Sequence, residues 1–270
     1  MKLTTSITTT QITFHPSKSR CGVKSHSVCY SSTFYHYYSS SLEHIATHVI
    51  FDFDGLLMDT ESVYMKATQA VAEPYGRTFD WEHKSQVVGL SVNEGCQRIV
   101  DLLELPMSLD EFMERSREEI ERLMPHTQLM PGVERLLQHF KQSGIPMAIA
   151  TGSDKKIFRK MTSRHVDIFG KNAYFDHIVF AGEDPDVKEG KPAPDCFLVA
   201  ARRFESPPDH PRSVLVFEDA PPGVHGALAG GMQVVMVPDP QLKHNVSPTM
   251  MVPSLEHFEP HLFSLPSFVL

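Results

Sequence analysis

Apolar positions along the chain fall into two rhythms. Val49, Ile50, Phe51 and Phe53 make a short apolar run that Gly55 ends, the pattern of a strand buried on both faces of a parallel sheet. Residues 62–129 then read as successive helices with no strand between them. Leu102, Leu103 and Leu105 precede Pro106, and Ser108 with Glu111 three positions later resembles a capping box that opens a charged helix over Asp110 to Leu123. Phe112, Ile120 and Leu123 would form its apolar stripe.

From Met130, Pro131 and Gly132 onward, helices and strands alternate. Helices are expected over Val133 to Ser143, Lys155 to Arg164, Asp195 to Phe204 and Gly223 to Ala229. Strands are expected over Met147 to Thr151, Ile178 to Ala181, Ser213 to Phe217 and Gln233 to Val237. Such alternation predicts an α/β fold, a doubly wound parallel sheet with helical crossovers. The expected organisation is a core from residues 45–61 and 130–270, with a small helical unit inserted over 62–129. No internal repeat interrupts this plan.

Composition separates the first 42 residues from the rest. They hold 17 Ser or Thr and no Asp or Glu, too little apolar surface to offset ordering entropy, so disorder is expected over about 1–44. The same bias fits an organellar transit segment, and a simple tail fits equally well. From Glu43 onward there are 21 basic and 33 acidic residues, a formal charge of −12. That balance disfavours nucleic acid as the main partner. The four cysteines, Cys21, Cys29, Cys96 and Cys196, show no CxxC spacing, which suits a reducing compartment. No apolar run approaches membrane-spanning length. The expectation is a soluble cytoplasmic protein, or an organellar one if the leader targets it.

Charge matters most at the strand ends. Asp52 and Asp54 are two residues apart, so an extended strand points both carboxylates the same way. Open α/β sheets bind ligands at this carboxyl edge. Two such carboxylates must share a proton or hold a metal. Asp-x-Asp-Gly also occurs in calcium loops and plain turns, but here Leu56, Leu57 and Met58 follow Gly55, where a calcium loop would continue with oxygen ligands. Thr151, Gly152 and Ser153 end another strand with hydroxyls and backbone N–H groups suited to phosphate, or to an N-cap. Glu218 and Asp219 add two carboxylates after a third strand, and Lys191 sits in a Pro-punctuated loop. A site lysine balances that charge better than a solvated one.

The order Asp52, Asp54, Thr151, Lys191, Glu218, Asp219 resembles the haloacid dehalogenase-like superfamily over about residues 47–240. Within it, the wording around Asp52, Lys191, Glu218 and Ala229 to Asp239, and the terminal Leu265 to Phe268, is similar to members acting on pseudouridine 5′-phosphate and on glycerol 3-phosphate. The resemblance implies a helical cap over 62–129 and phosphomonoester hydrolysis on a small phosphorylated metabolite. It implies Asp52 as nucleophile and Asp54 as acid and base. It further implies Mg²⁺ held by Asp52, the Asp54 carbonyl and Asp219 with Glu218 in support, and phosphate held by Thr151, Gly152 and Lys191. A phosphomutase like the β-phosphoglucomutases, or a non-catalytic binding module, are the alternatives. A monomer, without nucleic-acid or membrane partners, is expected. The loop after Gly89 reads Leu90, Ser91, Val92, Asn93, where similar phosphatases often carry Lys or Arg.

Overall fold

The structure, a computed structural model, describes residues 45–88, 90–171, 173–241 and 245–268. The expectations of leader disorder and targeting lie outside them. Six parallel strands form one sheet in the order β3-β2-β1-β4-β5-β6. They are β1 His48–Phe51, β2 Met147–Thr151, β3 His177–Phe180, β4 Val214–Glu218, β5 Gln233–Met236 and β6 Met250–Met251. β1 is central, flanked by β2 and β4.

Burial on both faces explains the unbroken apolar runs. Val49, Phe51, Ile149, Leu215, Phe217 and Val235 face one core with Leu136, Leu137 and Phe140 of α5 (Val133–Gln142). Ile50, Ala148, Ala150, Val214, Val216 and Val234 face the other. There they meet Phe197 and Ala200 of α8 (Asp195–Arg202) and Val224 and Ala227 of α9 (Pro221–Ala229). The rings of Phe51 and Phe217 stack with centroids 5.0 Å apart across the β1–β4 pair.

Between β1 and β2 lie α1 Thr60–Ala72, α2 Trp81–Ser85, α3 Val92–Leu102 and α4 Leu109–Leu123. Ser108 accepts from Glu111 N at 3.2 Å, the N-cap half of the expected box; Asp59 accepts from Ser62 N at 3.1 Å and Ser91 and Glu94 cap each other, two caps beyond the expectation. These helices have a core of their own, with Val71, Phe79, Ile99, Val100, Leu103 and Phe112. The expected stripe on α4 divides. Phe112 joins this helical core, whereas Ile120 packs against the main one, so α4 joins the two.

Local differences from the expected elements have local causes. Thr162 closes α6 (Lys155–Met161) before Arg164, and a short α7 (Val166–Phe169) follows. α9 begins two residues before Gly223 because Pro221 and Pro222 fit the first helical turn. β3 is displaced by one residue, pairing His177 with Ala148. No helix among the described residues is long and apolar enough to cross a membrane.

Candidate active site

The parallel register brings the strand ends together. Phe51 pairs with Phe217 and with Ile149, so Asp52, Glu218 and Thr151 emerge along one edge. The Asp52 N–H continues the ladder by donating to Phe217 O at 2.9 Å. Asp52 and Glu218 are buried, only 6% and 1% exposed. Lys191 bridges them: its Nζ donates to Asp52 Oδ1 and, at 2.7 Å, to Glu218 Oε1. The second Glu218 oxygen accepts from the Asp219 and Ala220 N–H groups, both at 2.9 Å. A buried carboxylate bound to a lysine and two amides is fixed in place.

Asp54 lies in a different setting. Its Oδ2 accepts from Ser153 Oγ at 2.8 Å and Thr151 Oγ1 at 3.2 Å, and Thr151 Oγ1 in turn accepts from Ser153 N at 2.9 Å. Thus the first aspartate touches a cation and the second touches hydroxyls. Gly152, between those hydroxyls, is exposed.

Electrostatics reflect three carboxylates around one lysine. Burial pushes the Asp52 carboxyl up to about 7; Lys191 opposes the shift, and Glu218 and Asp54 add to it. Asp219 is pushed up to about 9, by burial first and then by Asp52 and Glu218. Asp54 is also raised by burial, with the Ser153 and Thr151 hydrogen bonds opposing. Burial works against the Lys191 charge, but Asp52 and Glu218 outweigh it and hold the ammonium protonated. Oxygens of Asp52, Glu218 and Asp219 all lie within 4.8 Å of one another. Such a hard, anionic donor set with too little positive charge of its own fits a divalent cation of the Mg²⁺ type.

Two glycines leave room for this arrangement. Gly55 has φ +79°, and a Cβ there would run into the Asp219 carboxylate. A Cβ on Gly223 would overlap the Glu218 carboxylate. Gly223→Ala is therefore expected to displace Glu218 from Lys191 and lower stability by about 1–3 kcal/mol. Thermal unfolding checks this, and an unchanged melting temperature would contradict the packing described.

Asp52, Asp54, Gly152, Lys191, Glu218 and Asp219 all line one cavity of about 570 Å³. Thr151 is fully buried behind it and acts through Asp54 and Ser153. Ser153, read from the sequence as part of the phosphate loop, lines the same cavity, and so does Tyr64 of α1, which the sequence did not mark as a site residue. Tyr64 gave no signal beyond an aromatic side chain one turn into a helix.

The family model for haloacid dehalogenase-like hydrolases matches residues 49–237. The chain is 46% identical over 224 residues to "Probable pseudouridine-5′-phosphatase" of Drosophila melanogaster, covering 82% of this chain and 95% of that protein. It is 45% identical over 227 residues to "(DL)-glycerol-3-phosphatase 1, mitochondrial" of Arabidopsis thaliana, covering 82% and 74%. In fold it is similar to the crystal structure of a HAD family hydrolase from Deinococcus radiodurans R1 with bound phosphate and sodium. That match has a TM-score of 0.62 at 20% identity and covers 74% of this chain and 84% of that one. With the match spanning every strand-end acid and the lysine between them, the chain belongs to the haloacid dehalogenase-like hydrolase family.

Proposed function

We propose that the protein is a Mg²⁺-dependent phosphatase of small phosphomonoesters that works through an aspartyl-phosphate on Asp52. The observation that carries this reading is the unlike treatment of two neighbouring aspartates. Asp52 is held by Lys191, whereas Asp54 is held by Ser153 and Thr151. These settings suit Asp52 to act as an anionic nucleophile and Asp54 as a proton carrier.

Asp52 Oδ attacks phosphorus; the Asp52–phosphorus bond forms as the ester bond breaks. Asp54 gives its proton to the leaving alkoxide, and its raised pKa suits that task. Water then attacks phosphorus, Asp54 takes its proton, and the Asp52 carboxylate and inorganic phosphate are released. Lys191 and the Gly152 backbone would hold the phosphoryl oxygens, and Thr151, buried behind them, would fix Asp54 and Ser153 in place. Asp52, the Asp54 carbonyl and Asp219 would hold Mg²⁺, with Glu218 fixing Lys191 and the Asp219 backbone. When bound, the ion supplies positive charge that lets an anionic carboxylate and a phosphate dianion approach. The α1–α4 segment would serve as a cap over this cavity.

Pseudouridine 5′-phosphate is the substrate we favour, and glycerol 3-phosphate the second choice. Phosphate release from a panel holding both, ranked by kcat/KM, tests the reading. Mg²⁺-dependent release supports it, and no release from any member contradicts it.

Metal linkage yields a further expectation. The folded pKa values of Asp52 and Asp219 lie above their ordinary 3.8. Their contribution to stability is therefore complete below about pH 4 and is lost as pH rises through about 7 and 9 in the metal-free protein. Divalent ions must displace these protons, so binding strengthens as pH rises. Millimolar Mg²⁺ should raise the melting temperature more at about pH 8.5 than at about pH 6. Equal shifts at both would contradict the ligand assignment.

A further inference from the structure

Lys191 reaches the site from the connection between β3 and α8, whereas the carboxylates it meets sit at the ends of β1 and β4. Where its ammonium lies therefore depends on what fixes that connection. The dependence is greatest once Asp52 carries the phosphoryl group, because its carboxylate charge is then spent in the new bond and no longer holds the lysine.

The acidic run Glu183, Asp184, Asp186 and Asp195 is not a bare charged surface, since each member already has a partner. Glu183 accepts from Lys155 N at 2.8 Å and pairs with the Lys155 ammonium at 3.2 Å. Asp184 and Asp186 share the guanidinium of Arg203, just past α8, whose Nη2 donates to them at 2.8 and 2.7 Å. Asp195, the first residue of α8, turns back along the chain. Its Oδ2 accepts from the Lys188 N–H at 2.9 Å and the Glu189 N–H at 3.1 Å, and these amides hold its carboxyl below the usual range. Phe197 of the same helix lays its buried ring 4.8 Å from Lys191 Nζ. On α9, Gly226 leaves room for the loop: a Cβ there would come within 2.9 Å of the Ala193 carbonyl oxygen.

We propose that Asp195 is a positioning residue for the reaction: by gripping the chain two positions before Lys191, it fixes the loop that aims the ammonium at the phosphoryl group. The inference rests on the phosphatase reading above and goes further by naming a residue outside the strand-end cavity on which turnover depends. Asp195 does not line that cavity. Its effect passes through the backbone of Lys188 and Glu189, and a shift of about 1 Å in a catalytic group is enough to cost about 10²-fold in rate.

Asp195→Ala tests this, because alanine keeps the helix but leaves both amides without their acceptor. With saturating Mg²⁺, kcat/KM for the best ester of the panel should fall at least about tenfold. In a Lys191→Met background the same substitution should cost less than about twofold, since the group it positions is gone. Asp195→Asn, whose side-chain oxygen still accepts from the amides, should recover most of the loss. A readout without turnover decides the matter if the double variant does not fold. Inorganic phosphate, followed by thermal shift, should bind Asp195→Ala at least about fivefold more weakly, whereas Mg²⁺ alone, with its proposed ligands at the ends of β1 and β4, should bind no more weakly. Wild-type turnover by Asp195→Ala, equal losses in the wild-type and Lys191→Met backgrounds, or equal weakening of phosphate and Mg²⁺ overturns the positioning role and leaves the phosphatase reading intact. Absence of phosphate release by the wild type from every phosphomonoester overturns the phosphatase reading and this proposal with it.

Discussion

Asp52→Asn is expected to lower phosphate release by at least about 10³-fold while leaving the fold in place. Asparagine keeps the shape of the side chain and its place at the end of β1, but offers no anionic oxygen to phosphorus. The fold should tolerate the change because Asp52 is buried at some electrostatic expense, its carboxyl pushed up to about 7. Glu218 remains to neutralise Lys191. Circular dichroism and thermal unfolding should therefore match the wild type in the absence of metal. The Mg²⁺-induced rise in melting temperature should shrink, since one proposed ligand is lost. Turnover within tenfold of wild type would remove Asp52 from the nucleophile's role.

Lys191→Met should damage both stability and catalysis. The lysine is the shared partner of two buried carboxylates, and removing it leaves both without a counter-charge. Breaking a buried pair in this way costs about 3–5 kcal/mol. In a domain of this size that is a fall of roughly 6–20 °C in melting temperature. Methionine fills a similar volume, so the loss is electrostatic rather than a cavity effect. Adding Glu218→Gln should recover part of the stability, because one uncompensated charge disappears, but not the activity. Release of phosphate should fall by at least about 10²-fold in both proteins, since a preorganised cation at the phosphoryl group is gone. An unchanged melting temperature for Lys191→Met would mean that the lysine is not the neutralising group.

How far the sequence reveals this site depends on the range of the interaction involved. Asp52 and Asp54 are legible because strand geometry acts between residues two apart. The strands are legible for the same reason, as buried apolar runs with Gly or Pro between them. What places Glu218 beside Asp52 is the in-register pairing of β1 with β4, a contact across more than 160 positions that no local pattern encodes. Lys191 is legible only as a cation that the clustered strand-end acids call for. Only the fold reveals that it spans two carboxylates.

Contacts between distant residues follow the same rule. Ser153 is recognisable as a cap or a phosphate-loop hydroxyl, but its bond to Asp54 joins residues 99 positions apart. Tyr64 reads as an ordinary helical aromatic until α1 is laid against the strand-end cavity. The split stripe of α4, with Phe112 in one core and Ile120 in another, cannot be read from periodicity, which reports a face and not what the face meets. β6 has two residues, too few for any pattern.

The central claim is that a phosphoryl group passes through Asp52 while Asp54 moves the protons. The Asp54→Asn protein tests it with p-nitrophenyl phosphate, whose leaving group needs no proton. Transfer to Asp52 should still occur, whereas water should attack slowly without its base. Rapid mixing should give a burst of nitrophenolate approaching one equivalent per enzyme, with phosphate recovered on the peptide that contains Asp52. A wild-type enzyme that hydrolyses this ester, paired with an Asp54→Asn protein showing neither burst nor label at Asp52, would contradict the mechanism.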